Sequence, residues 1–488
     1  MSSRAFSARP LGVGMVYLPG LEALAERLGP DCDLFEVEPQ AFWRNRPAES
    51  GRPHAAAYDI GADKLAALHA LGKPILVHSV GSPVAGTNGL ETSQIDGLRQ
   101  TMAMLRPQWW SDHASFSSVG SGNARRGVGF LMPPLQSADS VALIVDHIKQ
   151  LQDAIGLPFA FETGVNYFAP QPGELPDGEF WGAIADRAEC GILLDLHNIW
   201  TNACNGRSSV LSVLNALPLE RVWEIHLANG QEHKGYWLDS HSGLPPEALF
   251  EILEKALPRL PSLRAILFEI IPEYIDANAI PEEELRAMFA RVKSLWRDHG
   301  EPAAPHWPSS RGSDEREERF LNAEGSPAGW EASICRGIER HRSGANPDCA
   351  DPAFEIYYDL IHMARRGSIV DALPLTSRYL WLLYAEAGLE ALFGEYFAIT
   401  APQPFMADEA RSFASFVGAQ CPDAPYLADV AAFEFAAQRA ASSGECQTIA
   451  FGCDPGLLIA AIKSGETPRD IVPATIELEV RPPEQVAA

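Results

Sequence analysis

The sequence predicts an α/β chain: a (β/α)8 TIM barrel over residues 1–298, a linker over 299–320, and a smaller, mostly helical domain over 321–488. Three observations carry this reading. Short apolar runs alternate with amphipathic helical stretches through the first 298 residues. A Pro-, Ser- and charge-rich stretch, His299–Glu317 (HGEPAAPHWPSSRGSDERE), then interrupts the pattern with a composition too polar to bury itself. Beyond it, helical periodicity dominates and strand signals are few.

The strands are read in order at Leu11–Tyr17 (LGVGMVY), Asp33–Glu38 (DLFEVE), Pro74–His78 (PILVH), Gln108–His113 (QWWSDH), Pro158–Glu162 (PFAFE), Gly191–Asp195 (GILLD), Arg221–His226 (RVWEIH) and Arg264–Glu269 (RAILFE). Each is a short, nearly continuous apolar run, as expected of strands buried on both faces of a parallel sheet. Helical spacing lies between them, as in Asp139–Ala154 and Pro245–Leu257. After the linker, Asp351–Arg366, Thr376–Phe397, Ala407–Gln420 and Tyr426–Ala441 have helical periodicity, and Ala474–Val480 (ATIELEV) alternates like a strand.

Composition excludes some functions. The 64 acidic residues against 38 basic ones leave a net charge of −26, which excludes a generic nucleic-acid binder working through a basic face. It also disfavours an anionic membrane surface and favours cations or metal ions as partners. No run of 18 apolar residues is present, and the opening MSSRAFSARPLGVG has no signal-peptide core, so a cytoplasmic protein without membrane spans is expected. The eight cysteines form no CxxC pair, which argues for reduced thiols and against a thiolate zinc site.

Barrel chemistry sits where strands end. The third strand ends on His78, the fourth on Asp112 and His113, the fifth on Glu162, and the sixth on Asp195 with His197 and Asn198 just beyond. The seventh ends on His226, with Asp239 and His241 following, and the eighth on Glu269. One such residue is ordinarily a hydrogen-bonded structural group; six successive strands ending this way point to a metal centre. His, Asp, Glu and Asn donors without sulfur suit iron, manganese or zinc. Their number exceeds one ion and suits two or three, with Glu162 and Asp195 as natural carboxylate bridges. Donor types alone leave two chemistries open: hydrolysis by a metal-activated water, and oxidation with O2.

The runs LGVGMVY, ILVHSVG, WWSDHASFS, FETGVNYF, GILLDLHNIWTNACNG, VWEIHLANG, WLDSHSG and FEIIPEY resemble the multinuclear non-haem iron-dependent oxidases. That family includes the methanobactin biosynthesis oxidase and modifies ribosomally made peptides. The resemblance covers about residues 10–298, within a wider group similar to the xylose isomerase and apurinic endonuclease barrels. It implies one metal position at His78, His113 and Glu162, a second at Glu162, Asp195, His226 and Glu269, and a third at Asn198, Asp239 and His241. It further implies two or three iron ions of mixed Fe(II)/Fe(III) state, O2 as co-substrate and a ribosomally made precursor peptide whose side chain, cysteine above all, is oxidised. A histidine stands at the Asn198 position in the endonucleases, so the amide favours the oxidase branch. His197 and Asp112 are the residues expected to act in catalysis beside the metals.

Two departures mark a distinct subfamily. His197-Asn198 stands where the family often has Asn-Asn, and Glu162-Thr163-Gly164 where it often has Glu-Asn-Pro. In the C-terminal half, Tyr379–Phe397 and Pro425–Arg439 resemble the small partner proteins that bind the precursor's leader, which implies a fused leader-binding domain. A generic dimerisation domain is the alternative there. For the whole chain the alternatives are a divalent-metal phosphoesterase, a sugar isomerase and a non-catalytic metal-handling protein.

Other residues receive plainer expectations. Trp109 and Trp110 are read as barrel packing, and Cys204 as a buried inert thiol. Glu36 and Glu38 are placed behind the ligand histidines, and His233 at the surface or behind a ligand. Arg207 and Lys234 are read as rim cations able to hold a peptide carboxylate. Gly81-Ser82-Pro83 and Gly120–Gly122 are loop glycines without a phosphate-binding pattern.

Overall fold

The computed structural model describes residues 8–45, 58–120, 125–299, 325–342, 351–403, 405–468 and 471–482. Apart from His299, the expected linker lies outside the described residues, as do Ser121 and Gly122 of the glycine loop.

Eight parallel strands close into a barrel: β1 (Gly12–Tyr17), β2 (Leu34–Val37), β3 (Ile75–Ser79), β4 (Trp110–His113), β5 (Phe159–Glu162), β6 (Gly191–Asp195), β7 (Val222–Leu227) and β8 (Ala265–Phe268). Each strand pairs with its sequence neighbours and β8 pairs with β1, which is the TIM-barrel topology expected above. Each expected strand is found where its apolar run lies. Helices cover the outside; Ala138–Ile155 shows why they form. Ser137 caps its first turn by accepting from the Ser140 N–H, Val141, Ile144, Val145, Ile148 and Leu151 bury one face, and Gly156 ends it at φ +77°.

The barrel interior is layered. Toward the N-terminal ends of the strands, Leu34, Leu76, Trp109, Ala160, Leu193, Trp223 and Ala265 form a closed apolar floor. Gly191 makes room for it: a Cβ there would stand 2.2 Å from the Trp223 ring. Trp109 and Trp110 are both fully buried, as expected. Above the floor the inward residues turn polar, and the strands deliver Glu36, Glu224, His226, His78, Glu162 and Asp195 toward the C-terminal rim, all buried.

The chain divides into two compact units. The first comprises 1–125 and 131–358, the second 126–130 and 359–488. The first unit therefore runs well past residue 298. Helix Pro327–Arg342 and the start of helix Ala353–Ala372 pack on the loops above the barrel strands.

The second unit is mostly helical. It holds the rest of Ala353–Ala372 together with Pro374–Ile399, Met406–Gln420, Leu427–Ser443 and Pro455–Ser464. Ile369, Tyr379, Leu380, Phe393, Tyr396, Phe413, Val430 and Leu458 belong to its core. A two-stranded antiparallel sheet, β9 (Gln447–Phe451) with β10 (Ile476–Val480), supplies the partner that the expected strand at 474–480 requires. No helix among the described residues is long and apolar enough to cross a membrane.

Candidate metal centre

The site is assembled where β3 to β8 end. His78, on β3, has Nδ1 2.8 Å from Ser111 Oγ, which fixes the ring and leaves Nε2 turned inward. That Nε2 lies 3.0 Å from His113 Nε2 and 3.1 Å from Glu162 Oε2, and His113 Nδ1 lies 2.8 Å from the same oxygen. Two imidazoles and a carboxylate converging this closely form the first of the expected positions.

Beside it, Glu162, Asp195 and His226 form a second triad. Asp195 Oδ1 accepts from the Asn198 N–H at 2.7 Å and so caps helix Leu196–Cys204. Glu269, immediately after β8, lies 3.2 Å from His226 Nδ1. All four residues expected at the second position are thus brought together.

The third position differs from expectation. Asp239 and His241 meet, with His241 Nε2 3.1 Å from Asp239 Oδ1, and Glu269 Oε2 approaches the same nitrogen at 3.3 Å. Asn198 is directed elsewhere: its Nδ2 donates to Glu162 Oε1 at 2.9 Å and to the Thr163 carbonyl at 3.1 Å. The reason is the Asp195 cap, which starts a helix and carries Asn198 back over β5 rather than toward Asp239.

His197 and Asp112, expected in catalysis, hold other groups in place. Trp237 Nε1–H donates to His197 Nε2 at 3.3 Å, so His197 Nδ1–H faces Asp239 Oδ1 at 3.0 Å. Asp112 accepts from the Ser82 N–H at 3.0 Å and the His113 N–H at 2.7 Å, tying the loop after β3 to β4. Burial pushes the Asp112 carboxyl up to about 6.

A third donor group lies deeper. Glu36, Glu224 and His226 cluster with no side-chain exposure at Glu36 or His226, and His226 Nε2 is 2.8 Å from Glu36 Oε2. Trp109 Nε1–H donates to Glu224 Oε2 at 2.8 Å. Glu36 therefore stands behind a ligand histidine, as read from the sequence, whereas Glu224 went unrecognised. The signal for it was period two: Glu224 and His226 share one face of β7.

A metal ion fits these residues. Glu162 Oε2, Asp195 Oδ2, Asn198 Oδ1 and both ring nitrogens of His226 are buried without an aligned hydrogen bond. Of these, Asp195 Oδ2 and Asn198 Oδ1 have no polar partner at all, which is costly for buried atoms, and they crowd together with the oxygen and imidazole donors that Fe, Mn or Zn prefer. The electrostatics agree. Burial opposes a charged His78, yet the adjacent Glu162 carboxylate lifts its pKa to about 10. Burial likewise opposes charge on His226 and His241, and their carboxylate neighbours raise both. Burial raises Asp195, reinforced by the charges of Glu162, Asp239 and Glu269. Side-chain exposure grows from 0% at His226 to 27% at His241, so the site opens toward Asp239 and His241.

Two rim expectations are corrected. Arg207 is buried and committed: it donates to the Phe168 carbonyl, Gln136 Oε1 and Asp177 Oδ1. Lys234 pairs with Glu355 at 2.6 Å. Neither is a waiting anion site. Cys204 is exposed rather than buried. His233 sits on the short hairpin Gln231–His233 with Tyr236–Leu238.

Fold and site together define a parallel TIM barrel carrying a candidate metal centre at its C-terminal rim. Residues 20–295 match the RiPP precursor modification enzyme family MbnB/TglH/ChrH, and the chain belongs to that family. A UPF0276 protein of Anaeromyxobacter sp. (strain Fw109-5) is 29% identical over 265 residues, covering 54% of this chain and 87% of that one. Another, of Neisseria meningitidis serogroup B, is 30% identical over 221 residues, covering 45% and 75%. Among solved structures, a D-psicose 3-epimerase is similar with a TM-score of 0.37 and 12% identity, over 59% of this chain and 97% of that one.

Proposed function

We propose that this chain is a multinuclear iron- and O2-dependent oxidase that modifies a side chain, cysteine above all, of a ribosomally made precursor peptide. The observation that carries this is the set of buried carboxylate, amide and imidazole donors that converge at the rim of a barrel from a precursor-modifying family. Iron held there supplies the one-electron chemistry with O2 that oxidation of an unactivated carbon requires. His78, His113 and Glu162 would hold one ion, and Glu162, Asp195, His226 and Glu269 a second. Asp239 and His241 would hold a third, beside Glu269, and Asn198 Oδ1 adds a donor next to Glu162.

The other residues arrange these. His197 orients Asp239, Asp112 fastens the loop after His78, and the Asn198 amide holds Glu162 Oε1. The substrate side chain enters past Asp239 and His241, the exposed edge of the cluster. The second unit takes the peptide's leader and raises its local concentration. A groove of about 440 Å³, lined by Val370, Leu375, Trp381 and Leu389 between Arg378 and Lys463, offers it a partly apolar recess for a few side chains.

The test is metal content by mass spectrometry on protein purified without added metal, followed by O2 uptake with precursor peptide. Two or three irons per chain and peptide-dependent uptake are expected. Zinc at that stoichiometry, with activity toward phosphoesters or sugars in the absence of O2, would replace the oxidase reading.

A further inference from the structure

We infer that Tyr357, which lies beyond the family-matched segment, is a positioning residue of the metal centre, acting through Tyr167 on Asp239. The inference rests on Asp239 being a ligand, as read above.

Asp239 follows the short strand Tyr236–Leu238, and no regular element holds it. Two residues on, His241 has φ +47°, a left-handed conformation that a non-glycine residue keeps only when its surroundings enforce it. Part of that enforcement comes from Tyr167, in the loop after β5, whose hydroxyl accepts the Asp239 backbone N–H at 3.0 Å. The backbone of Asp239 and its carboxylate are thus fixed separately, one by Tyr167 and the other by His197 and His241.

Tyr167 is itself held from outside the family-matched residues. Its N–H donates to the Tyr357 hydroxyl at 3.3 Å, and the two rings meet edge to face at 5.3 Å. The neighbouring Phe168 stacks on Tyr357 at 4.9 Å and meets Phe354 at 5.0 Å and Trp330 at 5.4 Å. Tyr357 is 1% exposed and Tyr167 4%, so water does not compete for either bond.

The segment that delivers Tyr357 is fastened to the loops above four strands. Above β3, Glu331 accepts from the Thr87 N–H at 2.7 Å and from its hydroxyl. Trp330 Nε1–H donates to the Pro133 carbonyl after β4 at 2.9 Å. Asp351 accepts the Ala169 N–H after β5, and Glu355 pairs with Lys234 after β7. Two hydrogen bonds, from Tyr167 N–H to Tyr357 and from Asp239 N–H to Tyr167, then connect this segment to the candidate ligand. Each is made to a backbone N–H, so each constrains where the chain lies, beyond what apolar contact alone would do.

The test uses the full chain and Fe(II) alone, titrated anaerobically, with bound iron counted after gel filtration and melting followed in parallel. Tyr357→Phe and Tyr167→Phe keep the rings and remove the accepting oxygens. Each should weaken one iron equivalent about 10- to 100-fold, the usual effect of losing a group that orients a ligand, and leave the others at wild-type affinity. Asp239→Asn should weaken that same equivalent. Trp330→Phe keeps a ring against Phe168 and removes only the hydrogen bond to the Pro133 carbonyl, leaving both hydrogen bonds of the path in place; it should lower the melting temperature and leave iron affinity unchanged. Wild-type affinity in both tyrosine variants, with loss in Asp239→Asn, overturns the role of Tyr357 and keeps the metal site. Wild-type affinity in Asp239→Asn overturns both. Should Tyr357→Phe not fold, wild-type affinity in Tyr167→Phe still overturns the inference, because the path from Tyr357 to Asp239 runs through that hydroxyl.

Discussion

At the scale of single residues, the centre is built to exchange protons for metal. Without metal, His78, with a pKa of about 10, holds a proton at pH 7, carboxylate neighbours raise His226 and His241 in the same direction, and burial raises the Asp195 carboxyl. A histidine whose folded pKa is raised stabilises the fold fully below about 6.5 and loses that contribution as pH rises through its folded value. The metal-free protein should therefore lose stability between pH 7 and 10. The loaded protein, with those protons already displaced, should not. The melting temperatures of the two forms should diverge with rising pH across that window; a constant gap would mean that the histidines are not the groups the metal meets. His226→Ala should cost most among single ligand changes, because it strips the second position and leaves Glu36 and Glu269 facing each other's charge. At least one iron equivalent should be lost by elemental analysis, and retention of all of them would remove His226 from the ligand set. These residues were legible in the sequence because each polar group ends an apolar run, as in ILVHS and GILLD. Arg207 was misread because its partners, Gln136, Phe168 and Asp177, lie 30 to 71 residues away and only the fold brings them together.

At the scale of elements, the eight barrel strands were legible because burial on both faces demands continuous apolar runs, which composition alone reveals. The C-terminal sheet was half legible. Ile476–Val480 (IELEV) alternates apolar and charged residues, whereas its partner Gln447–Phe451 (QTIAF) carries no charge to mark one face. Helix Pro327–Arg342 was not singled out within the helical domain expected over 321–488, because Gly329 and Gly337 weaken its helical pattern and its apolar residues are few. What sequence does not show at all is close packing between strands. Gly191 opens β6 because the Trp223 indole of β7 occupies the place of its side chain. Gly191→Ala should therefore overpack the barrel floor and cost about 1–3 kcal/mol. Trp223→Phe in the same chain should recover part of that loss, since a smaller ring vacates the contact. Denaturant unfolding measures both. Equal stability of Gly191→Ala and wild type would show that the floor yields where it is drawn as closed.

At the scale of the whole molecule, the consequence concerns where the chain can be divided. Sequence places the barrel's end near 298, where the composition turns Pro-, Ser- and charge-rich. The contacts place it at 358, because residues 326–342 and 351–358 are built into the loops above β3, β4, β5 and β7. A chain ended at 298 would bare Phe168 and Tyr167, both now buried, and leave Thr87 and the Tyr167 N–H without their present partners. Exposing one large aromatic side chain costs about 1.5–3 kcal/mol, and an unpaired buried donor adds about 1–3 kcal/mol. The sum is a large part of the 5–15 kcal/mol that typically separates folded from unfolded protein. The 1–298 fragment should therefore melt far below a 1–372 fragment, which keeps the segment and the full helix Ala353–Ala372. Both fragments lack the groove read as the leader site, so a difference between them reports on the barrel's own closure and not on peptide recognition. Equal melting of the two would return the boundary to 298 and reduce residues 326–358 to a tether.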